Sequence, residues 1–172
     1  GMLSILPALL VNTGAGVIAI LVAMARGLDP LVVYMLVPVM VAPLVEELVK
    51  PAVLTFLKKE MTTDMDGVLY GVTAGMGFAL LENMSYLLFG FTAFGGFSDA
   101  GALSTSMIWL LTALSRGLGS IMIHAAGPGL IGLAYVRYLR KEVGVGALFR
   151  AYGIAVLIHA TWNGVSTLTA FE

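Results

Sequence analysis

The chain has 172 residues, of which 59% are hydrophobic and 11% charged, with a mean hydropathy of +0.99 and a formal charge of −1. Soluble domains carry roughly 45–50% apolar and about 25% charged residues, so a water-soluble globule is excluded, and with no long basic run nothing points to nucleic acid. The absence of cysteine removes disulfides, cysteine-ligated metal and cysteine nucleophiles together.

Five apolar stretches, near 3–25, 30–57, 67–90, 116–139 and 147–170, are long enough to cross a bilayer as helices. Gly1 before Met2 reads as a cloning remnant. The first stretch has no basic leader and runs too far for a cleaved signal peptide, so it counts as a span. Arg26-Gly-Leu-Asp-Pro30 predicts a tight turn. In the second stretch Pro43 and Pro51 bracket Glu46–Lys50, and each removes a backbone donor, which predicts a kink. Lys58-Lys59-Glu60 opens a hydrated loop. The third stretch carries Gly71, Gly75 and Gly77, small residues that let helices approach closely.

Residues 102–115 are too short for an ordinary span and read as an interfacial or re-entrant helix, preceded by the glycine- and phenylalanine-rich loop 89–101. With that count, Lys58, Lys59, Arg137, Arg140, Lys141 and Arg150 fall on one side and only Arg26 lies in a loop on the other, which makes the basic side and the N-terminus cytoplasmic. The expected architecture is an all-α integral membrane protein of the cell membrane (inner or plasma). It has about five transmembrane helices and one additional interfacial or re-entrant helix, forming a single polytopic domain over residues 1–172. The sequence leaves the oligomeric state open.

Ionisable groups inside spans cost about 2.5–3.5 kcal/mol each and are functional hypotheses by default. They are Glu46, Glu47 and Lys50, then Glu82, His124 and His159. At 1.5 Å rise per residue, Glu46 lies ~16 Å from the cytoplasmic end of its span, His159 ~18 Å, and Glu82 and His124 ~22 Å. Four spans thus bring polar groups to one depth. Any one of them alone has a plain packing explanation: an ion pair for Glu47 and Lys50, helix glue for Glu82 and Asn83. Together three carboxylates, one lysine and two neutral histidines sum to −2, which requires shared protons, a divalent cation or a water-filled cavity. Asn163 follows His159 by four residues and shares its face.

Hydrolysis by an activated water is chemistry that such a set can perform. Glu46 or Glu47 would act as general base on a water, supported by Lys50. His124, His159 and Glu82 would bind a divalent metal, zinc in the first instance, or hold that water directly. Asn163 would support the oxyanion. The competing reading is a proton- or cation-coupled transporter or channel, with the Glu/His cluster as a relay. The zinc HExxH signature is absent, the aspartates Asp64 and Asp66 sit in a loop, and no serine occupies a GxSxG setting.

Glu46-Glu47-Leu-Val-Lys50 is an EExxK motif, and Phe78-Ala-Leu-Leu-Glu82 an FxxxE motif. His124-Ala-Ala-Gly127 and His159-Ala-Thr-Trp-Asn163 complete an ordered set. Over residues 43–163 the sequence resembles the PrsW family of intramembrane proteases, distantly similar to the CAAX-processing and bacteriocin-immunity membrane proteases. The resemblance implies proteolysis of a membrane-anchored protein substrate in the lipid bilayer, typified by an anti-sigma factor. It maps Glu46, Glu47, Glu82, His124 and His159 onto the family's essential positions.

Overall fold

The computed structural model describes residues 1–93, 107, 110, 111, 113, 114 and 116–168. Helix α1 (Ile5–Arg26) follows one short 3-10 turn and ends at Gly27, whose φ of 65° is the left-handed geometry that glycine adopts without penalty. Asp29 caps the next helix by accepting from the Leu31 amide at 2.8 Å, and Pro30 takes the first helical position, where its missing N–H costs nothing.

The second rod changes hydrogen-bond register along its length. It runs as α2 (Pro30–Leu36), a π-helical turn (Val37–Val41), α3 (Ala42–Val49) and a 3-10 turn (Lys50–Thr55). The Ala42 amide reaches back five residues to the Val37 carbonyl. In that register the Pro38 carbonyl would take its bond from residue 43, which is proline and has no N–H to give. The expected irregularity is therefore present on both sides of Glu46 and Glu47, which sit in the regular turns between.

Helices α4 (Asp64–Ala93), α5 (Ile121–Leu139, after a π turn at Arg116–Ser120) and α6 (Gly146–Leu168) complete the bundle. Glycine dictates how α4 and α5 meet. A Cβ on Gly67 would run into the Gly132 carbonyl, one on Gly71 into Pro128, and one on Gly75 into the His124 carbonyl. The pairing falls by four residues on one helix as it rises by four on the other, so the two are antiparallel and nearly in backbone contact. Pro128 has no N–H for the carbonyl four residues before it, that of His124. Gly75 lets α4 close over this same carbonyl.

Three rods, Met2–Arg26, Pro30–Thr55 and Gly117–Leu139, are long and apolar enough to cross a membrane. The 30-residue α4 and 23-residue α6 match them in length with lower apolarity. Large apolar side chains point outward, including Leu10 and Ile18 on α1 and Met122 on α5. Many inward positions are small, such as Ala8, Gly16, Ala23, Ala155 and Gly127, or polar. This is an all-α, multi-pass membrane protein.

The re-entrant reading of 102–115 and the loop 89–101 lie largely outside the described residues. The antiparallel pairing fixes one boundary condition: both ends of that connection, at 93 and 116, meet the same face of the bundle. At the opposite face Arg137 and Arg140 pair with Asp64, and Arg140 also donates to the Thr62 carbonyl at 3.3 Å. Leu54, Met61 and Val136 form an apolar cluster beneath them.

Candidate active site

Six of the seven residues singled out in the sequence converge on one buried cluster, reached from four helices. Glu46 and Glu47 come from α3, and Lys50 from the 3-10 turn that follows. Glu82 comes from α4, His124 from α5 and His159 from α6. Glu47 and Lys50 are fully buried, His124 and His159 are 2% exposed, and Glu46 is 4% exposed. The two histidines meet edge to face, with ring centroids 4.8 Å apart. Phe78 closes one side, 5.5 Å from the His124 ring and 4.7 Å beneath the Lys50 ammonium.

Hydrogen bonds assign the tautomers. Lys50 Nζ lies 2.5 Å from His124 Nδ1 and can only donate, so Nδ1 accepts, and the proton of the neutral ring is on Nε2. That nitrogen meets Glu82 Oε2 at 2.8 Å. In His159 the order is reversed: Nδ1 donates to Glu47 Oε1 at 2.8 Å, which leaves the Nε2 lone pair free. Each histidine is thus oriented by a carboxylate on one nitrogen and presents a lone pair on the other. Glu46 Oε2 lies 4.0 Å from His124 Nδ1, whose lone pair accepts from Lys50, and 3.8 Å from His159 Nε2.

Glu46 Oε2 is buried without a hydrogen-bond partner, although Lys50 Nζ stands 3.4 Å away. Three ligand-type atoms, one each from Glu46, His124 and His159, lie within 4.8 Å of one another. For tetrahedral zinc with bonds of about 2.0–2.1 Å the edges are roughly 3.3 Å, so all three side chains would draw together around the ion. The donor set fits a divalent cation. Glu82, the carboxylate expected in the ligand set, meets the far nitrogen of His124, and Glu46 is the carboxylate grouped with the two histidines.

Glu47 Oε1 is committed to both Lys50 at 2.7 Å and His159. Its Oε2 has no partner and lies against Gly127, where any Cβ would collide with the carboxylate. Gly127 therefore makes the space that the free oxygen occupies.

Asn163, the seventh residue, stands apart. Its amide donates to the Pro38 carbonyl at 2.8 Å, the group orphaned by Pro43. With Tyr152, which donates to the Leu44 carbonyl at 2.8 Å, and His159, it forms one face of α6 laid along the second rod. A residue that the sequence reading did not single out joins the cluster instead: Asn12 of α1 donates to Glu46 Oε1 at 3.2 Å. Its signal was a lone amide near the middle of an apolar span, which a search confined to ionisable groups passes over.

The model for the PrsW family of intramembrane metalloproteases matches residues 1–172. The chain is 30% identical over 133 residues to Protease PrsW of Clostridioides difficile (strain 630), which covers 72% of this chain and 48% of that protein. The chain therefore spans about half the length of the curated relative it matches. No solved structure matches it. The glutamates, lysine and histidines of the motif set, gathered in one buried cluster, accord with what the comparisons establish: the chain belongs to the PrsW family of intramembrane metalloproteases.

Proposed function

We propose that residues 1–172 act as one polytopic unit that hydrolyses a peptide bond of a membrane-anchored protein, of which an anti-sigma factor is the type. The observation that carries this reading is the grouping of one nitrogen each from His124 and His159 with a buried Glu46 oxygen that has no hydrogen-bond partner. Glu46, His124 and His159 would hold a divalent metal, zinc in the first instance. Glu82 and Glu47 would fix the two rings, as carboxylates behind histidine ligands do. A bound divalent cation supplies Lewis acidity and an activated water.

The remaining steps belong to the chain. Glu47 Oε2, free and beside Gly127, is the general base that takes the water proton, while Lys50 balances the Glu47 charge. The proton is then available to the leaving amine from the same carboxyl. Apolar walls around the cluster exclude bulk water and strengthen each electrostatic contact. Asn163 acts as a structural clamp on the second rod in this scheme rather than as an oxyanion donor. The Thr62–Arg140 face is taken as cytoplasmic, which puts the N-terminus inside the cell membrane's inner face.

The test is cleavage of a fluorogenic, membrane-anchored peptide by the full chain in lipid vesicles. Glu46→Gln and Glu47→Gln should each lower turnover by at least about 10²-fold, the low end of general acid–base contributions. Ion flux through the same vesicles with no cleavage of any peptide would instead favour the transporter reading.

A further inference from the structure

Helix α1 is the most lipid-exposed of the long helices, yet one face of it is built for contact. Ala8, Asn12 and Gly16 are spaced by four residues and form a single inward stripe, in which Ala8 and Gly16 are buried. Tyr34 packs onto Gly16, where a Cβ would stand 2.9 Å from the ring. Asn12 is therefore set against the second rod at the level of Glu46. Its Nδ2 donates to Glu46 Oε1 at 3.2 Å, and its Oδ1 is buried with no hydrogen-bond partner. Because an ionised carboxylate only accepts, the amide nitrogen is the atom that faces Glu46.

We propose that Asn12 is a positioning residue of the hydrolytic site, making α1 part of the catalytic apparatus as well as a membrane anchor. This rests on the functional reading above. The Asn12 amide occupies one oxygen of Glu46 and thereby turns the other, Oε2, toward His124 and His159. Without that bond Lys50, 3.4 Å from Oε2, is the nearest remaining donor, and the carboxylate is drawn to the ammonium and away from the histidines. A buried acceptor with no donor is costly. A water beside Glu46 would supply the donor that Asn12 Oδ1 lacks, so the same amide that aims the carboxylate could also steady a water next to it. Simple interhelical glue would explain the bond to Glu46, but not why an acceptor is left open beside it.

The experiment uses the full chain in phosphatidylethanolamine/phosphatidylglycerol vesicles, with cobalt(II) as the metal probe and Asn12→Leu and Asn12→Gln as variants. Cobalt affinity, the visible cobalt spectrum, melting temperature, and kcat and KM on the anchored reporter are measured. Asn12→Leu should weaken cobalt binding or lower kcat by about 10- to 100-fold, the range for groups that orient metal ligands, with an altered spectrum and KM within about twofold. Asn12→Gln, which keeps the amide on a longer arm, should recover most of the loss. Unchanged cobalt affinity, spectrum and kcat in Asn12→Leu, or a fall in melting temperature alone, would overturn the proposal. So would an Asn12→Gln variant no better than Asn12→Leu. A wild-type chain that binds no cobalt and cleaves without metal would overturn the metal-site reading itself, and the two failures are thus distinguishable.

Discussion

The Lys50 ammonium lies 2.5 Å from Nδ1 of His124, the ring nitrogen grouped with Glu46 Oε2 and His159 Nε2. A lysine donor and a metal ion cannot use one lone pair at the same time. Metal loading therefore requires Nζ to withdraw, and Glu47 Oε1, already at 2.7 Å, is the partner that retains it. Lys50→Met removes the competitor and one positive charge, and should tighten zinc binding about tenfold or more, the lower range for a hydrogen bond to a charged group. Competition with a chelator of known affinity measures it. Weaker or equal binding would assign Lys50 a supporting role only.

Glu47 and Lys50 could in principle be a structural pair. Replacing both, as Glu47→Gln with Lys50→Met, removes the two charges of the pair together, so that only Glu46, 3.4 Å from Lys50, loses a counter-charge, and the fold should survive. Cleavage of the anchored reporter should nevertheless be lost. A folded double variant that still cleaves would remove Glu47 from the proposed chemistry.

The glycine pairing of α4 and α5 gives a stability test linked to function. Any side chain at Gly75 meets the His124 carbonyl, whereas at Gly14 a Cβ finds nothing within 4 Å. Gly75→Ala should destabilise by about 1–3 kcal/mol, the usual cost of overpacking. It should also reduce cleavage, because the 2.8 Å His124–Glu82 bond spans that interface. Gly14→Ala should be neutral on both counts. Thermal unfolding in detergent and reporter cleavage check the pair.

At the membrane surface Asp66 accepts from the Thr63 amide at 2.7 Å and the Thr62 amide at 2.9 Å, and its own amide bonds Thr63 Oγ1 at 3.2 Å. These donors, Thr63 first, hold its carboxyl down from 3.8 to about 2. A depressed carboxyl pKa contributes stability that is fully present above the unfolded value. That contribution is lost as pH falls through the folded one. The melting difference between wild type and Asp66→Asn should thus be present at about pH 5 and vanish near pH 2. A difference constant over that interval would contradict the cap.

Much of this arrangement is legible in the sequence because hydrocarbon makes polar residues conspicuous. Apolar runs gave helix limits within a few residues, and Glu46, Glu47, Lys50, Glu82, His124 and His159 stood out by their cost. Helical rise was enough to bring them to one depth. What rise and spacing could not supply was azimuth. Glu82 and Glu46 are both carboxylates at that depth, and only the side-chain geometry separates the one behind His124 from the one before it. Asn163 shares a face with His159, yet the carbonyl left open by Pro43 claims its amide. Asn12 carries no charge, so charge counting did not register it. The close approach of α4 and α5 was signalled by Gly71 and Gly75, but the role of Pro128 in freeing the His124 carbonyl depends on register between two helices distant in sequence.

The central claim is that Glu46, His124 and His159 share one metal ion, with Glu82 orienting His124 from behind. Zinc per chain, measured by elemental analysis after equilibration at a fixed free zinc concentration, tests it most directly. About one zinc is expected in the wild type and almost none in Glu46→Gln, His124→Ala or His159→Ala. Glu82→Gln should retain zinc with affinity reduced by about 10- to 100-fold. Full zinc content in Glu46→Gln together with its loss in Glu82→Gln would contradict this ligand set, and a metal-free wild type that cleaves the reporter would contradict the metal site altogether.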